Sequence, residues 1–450
     1  NYQLDKLSAT IRFAVANSPF YRKHLGQSAA AGLRTLADLI DLPFTDAADL
    51  RHYGSQMVCV SQSCINRVVT LDTSGTVGDP KRLWFTTEDQ NLTVEFFQAG
   101  MSTLTRPGDR ALILLPSRRP GSVGDLLAQA LTGMGMTALL YDWVGNLADA
   151  ANVVQRERMD SVVGSPVQVL ALARYSAEQG GSVPGPRTVL LSTDYAPRSL
   201  IQEVEKLWSC RVFDHYGMTE MGLGGGVECE AHAGYHLRET DLFFEIVDPQ
   251  TGEQVPDGCE GEVVFSTLTR RGMPLIRYRT GDLSRFLPSP CDCGSLLKRL
   301  DRLRGRLDSI LRLPAAKLRI GEIAEAVFAV PGVLDYAVTV GEITEAAPYR
   351  EIAVKLQAFE AVRDLKRSTY GLIGHVFRGM FDLEFDRAKV KGFLGPEVMT
   401  IQAEHLVDAW KAIPAQETDE AARALFQRFK KKHIEFDDVK RSVQVGLAMR

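Results

Sequence analysis

Long apolar runs are missing from this 450-residue chain, and none is long enough to span a bilayer as a helix. A membrane partner is therefore not expected. The first residues, Asn1-Tyr2-Gln3-Leu4-Asp5-Lys6, lack the apolar core of a secretion signal. An excess of one charge is also missing: 52 Lys and Arg stand against 56 Asp and Glu, a net charge of −4. That balance gives no basis for nucleic-acid or acidic-membrane binding. The seven cysteines are an odd set, so a disulfide framework is not expected; they read as reduced thiols of a cytoplasmic protein. Internal repeats and low-complexity tracts are absent, as is the G-x-x-x-x-G-K-[ST] phosphate loop of common ATPases.

What is present is a hydroxyl- and glycine-rich segment that ends on a lysine, Thr73-Ser74-Gly75-Thr76-Val77-Gly78-Asp79-Pro80-Lys81. Successive backbone amides in such a turn form a concave anion site, and small side chains let a phosphate approach closely. Thr73, Ser74 and Thr76 add donors, and Lys81 adds a mobile positive charge.

The length predicts more than one domain. Residues 1–50 look helical, and Thr87 is a candidate helix cap. Apolar runs at Ala111–Leu115, Ser161–Gly164 and Thr188–Leu191 read as buried strands. Helical patterns, Asp125 to Thr132 and Val167 to Gln179, separate them. That alternation predicts an α/β fold with a doubly wound parallel sheet. From about residue 226 to 307, the runs Leu242–Val247, Gly261–Phe265 and Ile276–Arg279 predict an antiparallel sheet or small barrel-like subdomain. Gly305-Arg306-Leu307-Asp308 marks a boundary between a large domain, 1–307, and a small α+β domain, 308–450. In the small domain, helices are predicted over Glu322–Val330 and Glu417–Lys432, and strands over Leu334–Val340 and Arg350–Ala358. The stretch of about 361–415 is expected to be a helical expansion.

Four further segments follow the glycine-rich one in order. They are Asp214-His215-Tyr216-Gly217-Met218-Thr219-Glu220, Ile276-Arg277-Tyr278-Arg279-Thr280-Gly281-Asp282, Asp301 to Asp308, and a cysteine set. Together they resemble the adenylate-forming superfamily, most closely its phenylacetate–CoA ligases. Asn17-Ser18-Pro19-Phe20-Tyr21-Arg22, Met273 to Asp282, and Glu228-Cys229 followed by Gly234-Tyr235-His236 carry the closest likeness.

The resemblance implies a mobile small domain and a set of roles. The loop with Thr73, Ser74, Gly75, Thr76, Gly78 and Lys81 would hold the β- and γ-phosphates of ATP. Asp214, His215, Tyr216 and Gly217 would border the nucleotide, with Tyr216 against the adenine ring. Thr219 would bond the α-phosphate, and Glu220 would hold Mg²⁺, a hard cation suited to carboxylate oxygen. Thr219, Glu220 and Lys81 would thus be catalytic. Asp282 would hold the ribose hydroxyls of ATP or AMP, Arg302 the ribose or phosphate side, and Asp308 would be the hinge. The implied reaction makes an acyl-adenylate from a small carboxylic acid, of aryl or arylacetic type by the resemblance, then a thioester with CoA. Transfer to a carrier protein is the alternative acceptor, and a homodimer is a possible assembly. A nucleotide-binding protein that acts through partners is the third reading.

Cys229, Cys291 and Cys293 plus one histidine would form a structural Cys₃His zinc site. His236 fits the family pattern, and His232 is the alternative. Three departures stand out. Val77 replaces a usual threonine, Ala315 stands at an expected glycine, and no lysine follows Ser442 near the C-terminus, where Lys440 is off register. Adenylation is therefore expected to be slow, to use a shifted lysine, or to be absent. Arg118 and Arg119 are candidates to pair with a second carboxylate or phosphate.

Overall fold

A computed structural model describes residues 2–71, 80–179, 185–313, 316–330, 333, 369–373, 397–401, 411–427 and 436–448. It divides into two compact units, Asn1–Tyr336 and Ala337–Arg450.

In the first unit, Ser18 ends α1 (Tyr2–Asn17) and caps α2 (Pro19–His24) by accepting from the Tyr21 amide. Tyr21 then donates its hydroxyl to the Pro274 carbonyl at 2.9 Å, tying this arm to the Met273–Asp282 stretch. After α3 (Ala47–Tyr53), β1 (Arg67–Leu71) and β2 (Lys81–Phe85) form an antiparallel pair, Arg67 opposite Phe85 and Leu71 opposite Lys81. The loop residues Thr73, Ser74, Gly75, Thr76 and Gly78 lie outside the described residues. Next comes α4 (Thr87–Met101). Its cap is Thr86, not Thr87: the Thr86 hydroxyl accepts from the Asp89 amide, and Asp89 reaches back to the Thr86 amide.

The alternating region then follows: β3 (Arg110–Leu114), α5 (Val123–Gly133), β4 (Thr137–Leu140), α6 (Leu147–Arg156), β5 (Ser161–Gly164), α7 (Pro166–Glu178), β6 (Thr188–Leu191), α8 (Arg198–Trp208) and β7 (Arg211–Tyr216). β4, β3, β5, β6 and β7 lie side by side and parallel. The sheet continues antiparallel through β8 (Gly226–Glu228) and β9 (Tyr235–Leu237) to a strand at Arg299–Leu300. Strand alternation divides the core. Leu112, Leu114, Val162, Val189 and Val212 pack on one helical layer, while Ala111, Ile113, Val163, Leu190 and Phe213 pack on the other. Burial on both faces explains why these strands read as unbroken apolar runs.

β10 (Leu242–Val247), β11 (Gly261–Thr267), β12 (Tyr278–Ser284), β13 (Arg299–Leu300) and β14 (Gly305–Arg306) complete the β-rich part. β10, β11, β12 and β14 form an open antiparallel sheet, the first of the two expected forms. The strand predicted over Ile276–Arg279 starts later, at Tyr278. Arg277 has φ +48° and sends its side chain into the core instead. Its guanidinium meets both Glu245 carboxylate oxygens, at 2.9 and 3.2 Å, donates to the Ile40 and Leu42 carbonyls, and lies 4.0 Å from the Phe44 ring centre. Removing one partner of a buried pair leaves an uncompensated charge, which costs about 3–5 kcal/mol. Glu245→Gln is therefore expected to lower unfolding free energy by about that much; urea titration giving a loss under about 1 kcal/mol would contradict this account.

After a short turn holding Asp308, β15 (Ile310–Leu313) and β16 (Ala316–Arg319) form a hairpin, followed by α9 (Ile320–Phe328). α9 packs on α8, whose N-terminus has no side-chain cap of its own. The Glu325 carboxylate fills that role, accepting from the amides of Arg198 at 2.8 Å and Ser199 at 3.3 Å. The compact unit thus runs to Tyr336, past the expected boundary at 307.

In the second unit, β17 (Thr369–Ile373) and β18 (Glu397–Ile401) pair in parallel. The expected helical expansion over 361–415 is corrected there: β-branched and aromatic runs such as Thr369-Tyr370 and Thr400-Ile401 make strands. α10 (Ala415–Phe426) and α11 (Phe436–Ala448) pack together, with Phe426 edge-on to Phe436 at 5.5 Å. Lys440 lies on α11 in an ion pair with Asp419. The strands predicted over 334–340 and 350–358, the end of the helix predicted to Lys432, and Ala315 lie outside the described residues.

Candidate nucleotide and metal sites

The C-terminal end of β7 carries Asp214, His215 and Tyr216, and a 3₁₀ turn, Thr219–Met221, follows directly. Carboxyl ends of parallel strands are where open α/β sheets bind ligands. Gly217 makes the tight exit possible: a Cβ there would lie 2.6 Å from the Leu223 carbonyl oxygen and 2.8 Å from the His215 ring.

Glu220 is buried, and Lys81 at the start of β2 reaches it across the chain, Nζ to Oε1 2.6 Å. The Tyr278 hydroxyl approaches the same oxygen at 3.4 Å. Tyr216 donates its hydroxyl to Asp282 at 3.0 Å, and Arg306 holds the other Asp282 oxygen at 3.1 Å. Burial raises the Asp282 pKa, against the pull of Arg306 and the Tyr216 bond. Three of the segments singled out in the sequence, 214–220, 276–282 and 301–308, therefore meet in one place with Lys81.

Asp214 sits deeper. It accepts from Tyr235 at 2.6 Å and lies 3.4 Å from Arg302, whose guanidinium also donates to the Ala196 carbonyl. Burial pushes the Asp214 carboxyl up to about 6, opposed by Arg302. His215 pairs through Nδ1 with Ser192 at 3.1 Å, and its Nε2 has no partner. Burial pushes its imidazole down to about 4, so it is neutral at pH 7. It lines an apolar cavity with Phe96, Phe97, Leu115 and Leu190. Thr219 lines a second cavity beside it, which shares Val123 and Leu223.

The sequence reading missed Tyr278, Arg306, Tyr235 and Ser192. Tyr278 was recoverable, because strand alternation puts it on the same face as Asp282. Ser192 directly follows a buried parallel strand, another usable signal. Arg118 pairs with Asp142 and is 87% exposed, and Arg119 is exposed too, so neither enters these cavities.

Cys229 follows β8, His236 lies on β9, and Cys291 and Cys293 come from the loop before β13. Their donor atoms all lie within 4.8 Å of one another. Cys229 Sγ is 3.6 Å from Cys291 Sγ, and Cys293 Sγ is 3.3 Å from His236 Nε2. A tetrahedral ion bound at about 2.3 Å to sulfur and 2.0–2.1 Å to nitrogen needs donor separations of roughly 3.5–3.8 Å; the 3.6 Å pair meets this, and the rest of the set needs shifts of up to about 1 Å to close on an ion. Arg299 clamps the loop by donating to the Ala233, Ser289 and Pro290 carbonyls. His232 is outside the set: its ring packs on Phe213 and its Nδ1 faces Glu228 at 3.4 Å.

Residues 67–269 match the family model described as AMP-binding enzyme. The phenylacetate–coenzyme A ligase of Aromatoleum evansii is 30% identical over 336 residues, 72% of this chain and 74% of the relative. That of Thermus thermophilus is 29% identical over 352 residues, 74% of this chain and 76% of the relative. Among solved structures, a 2-hydroxyisobutyryl-CoA ligase in complex with 2-HIB-AMP shares the fold, with a TM-score of 0.68, 19% identity, and coverage of 99% of this chain and 91% of its own. Among the described residues, no helix is long and apolar enough to cross a membrane. The order of motifs, the doubly wound sheet and these relatives agree: this chain belongs to the phenylacetate–coenzyme A ligase family of AMP-binding enzymes.

Proposed function

We propose that the protein activates a small carboxylic acid with ATP and passes the acyl group to CoA. The acid's carboxylate attacks the α-phosphorus of ATP, the bond to the bridging oxygen breaks, and pyrophosphate leaves. The CoA thiol then attacks the acyl carbonyl, loses its proton, and AMP leaves. The observation that carries the reading is the meeting of Lys81, Glu220, Tyr216 and Asp282 at the end of β7. Lys81 and the glycine-rich loop would hold the terminal phosphates, and Thr219 the α-phosphate. Glu220 would hold Mg²⁺, which would neutralise phosphate charge as pyrophosphate leaves. The residues' contribution is position and preorganised charge rather than covalent chemistry. Asp308 would be the hinge between the two steps. Cys229, His236, Cys291 and Cys293 would hold a zinc ion whose role is to fix the loop before β13.

Acid-dependent exchange of labelled pyrophosphate into ATP tests the first step, and CoA-dependent release of AMP tests the second. No exchange with any acid would leave a nucleotide-binding protein; exchange without CoA dependence would point to a carrier protein. Asp282→Ala removes an acceptor of charge-assisted bonds and is expected to weaken AMP binding by about tenfold or more. Equal affinities by calorimetry would count against the ribose role.

A further inference from the structure

We propose that the acid carries a second carboxylate, held at the Arg67 end of the cavity that Thr219 borders; this rests on the adenylation reading above. The cavity, ≈ 200 Å³, is smaller than the roughly 300–1,000 Å³ of drug-sized sites, which suits a one-ring acid. Val69, Phe85, Val123, Leu126 and Leu223 make an apolar body for it. Arg67, Gln90 and Ser122 are its polar exceptions along with Thr93 and Thr219.

Those three residues offer donors with no acceptor among the described residues. Arg67 Nε and Ser122 Oγ are buried with no hydrogen-bond partner. Gln90 is 7% exposed; its carbonyl oxygen accepts from Asn66 at 2.6 Å, while its amide nitrogen makes no hydrogen bond among the described residues. Gly121 marks where they converge. With φ +71°, it leaves space where a Cβ would lie 2.2 Å from Gln90 Nε2 and 3.5 Å from Arg67 Cδ. Ser122 begins α5 without capping it by its side chain, so the helix N-terminus adds partial positive charge at the same end. The nearby Asp125 carboxylate is turned to the Gly121 amide and Gln129, and no carboxylate among the described residues pairs with Arg67. Buried polar groups rarely stay unpaired. A carboxylate has oxygens for several donors and matches the planar guanidinium fork. An acid with one carboxylate at Thr219 and another at Arg67 would satisfy both ends.

The test uses phenylacetate, 3- and 4-carboxyphenylacetate, and the methyl esters of the added carboxyl groups. Pyrophosphate exchange gives kcat/KM for each acid, and calorimetry without ATP gives each affinity. At least one dicarboxylate should exceed its ester by about tenfold or more, in line with a charge-assisted bond. Arg67→Gln should bring that ratio near one, and Arg67→Lys should restore part of it. A merely structural Arg67 would lower all acids alike and leave the ratio intact, which would overturn the proposal. Exchange with no preference between dicarboxylate and ester would also overturn it. Tighter binding of the dicarboxylate without exchange by any acid would sink the adenylation reading while keeping the Arg67 end as a carboxylate-binding site. No preference in either measurement overturns it.

Discussion

Glu220→Gln is expected to lower acid-dependent pyrophosphate exchange by about 10²–10³, the usual consequence of losing one preorganised charge contact. The substitution keeps the shape of a buried side chain and can still accept from Lys81 and Tyr278, so the fold should persist. What it removes is the negative charge on which two proposed functions depend. Without nucleotide, Lys81 and Glu220 neutralise each other at 2.6 Å. On binding Mg²⁺ and ATP, the lysine would turn to phosphate and the carboxylate to the metal, each exchanging a like-for-like charge partner. Glutamine breaks that exchange on the metal side, and Lys81→Met breaks it on the phosphate side. Exchange activity unchanged in Glu220→Gln, with a melting temperature near wild type, would refute the role.

Cys291→Ser is the second large effect. Purified protein is expected to contain about one zinc per chain, and the variant far less. Structural zinc contributes directly to folding free energy. A loss of a few kcal/mol at roughly 2 °C or more per kcal/mol lowers the melting temperature by roughly 5–10 °C. Cys259, exposed and outside the cluster, provides the control: Cys259→Ser should keep both metal and melting temperature. Elemental analysis finding no zinc in the wild type, or the same zinc in Cys291→Ser, would remove the metal.

The parts legible in the sequence were those written in local pattern. Ser161–Gly164 and Thr188–Leu191 were readable to the residue because both strand faces are buried, so apolar runs end where the strands end. Tyr216, Glu220 and Asp282 were readable as motifs, and the structure brings them together. The choice of His236 over His232 came from the family pattern and not from spacing, because both follow Cys229 at workable spacings, and the cluster holds His236. The pairing of β9 with β13, which brings Arg299 opposite His236, sets that histidine beside the cysteine loop. Arg67 was hidden: nothing in its neighbours marks it, and its importance comes from facing Gln90 and Gly121, distant in sequence. Arg277 misled the strand assignment because its stretch has the composition of a strand while its backbone turns the side chain inward. The strands at 369–373 and 397–401 were also missed, although their β-branched and aromatic residues favour them, because their parallel pairing is non-local.

Glu325 sets a condition on any movement about Asp308. Rotation of the segment beyond that residue would have to withdraw its carboxylate from the Arg198 and Ser199 amides and leave α8 with an open end. Losing such a cap costs on the order of 1 kcal/mol. The Glu325 contacts therefore favour the present packing of α9 on α8 by about that amount.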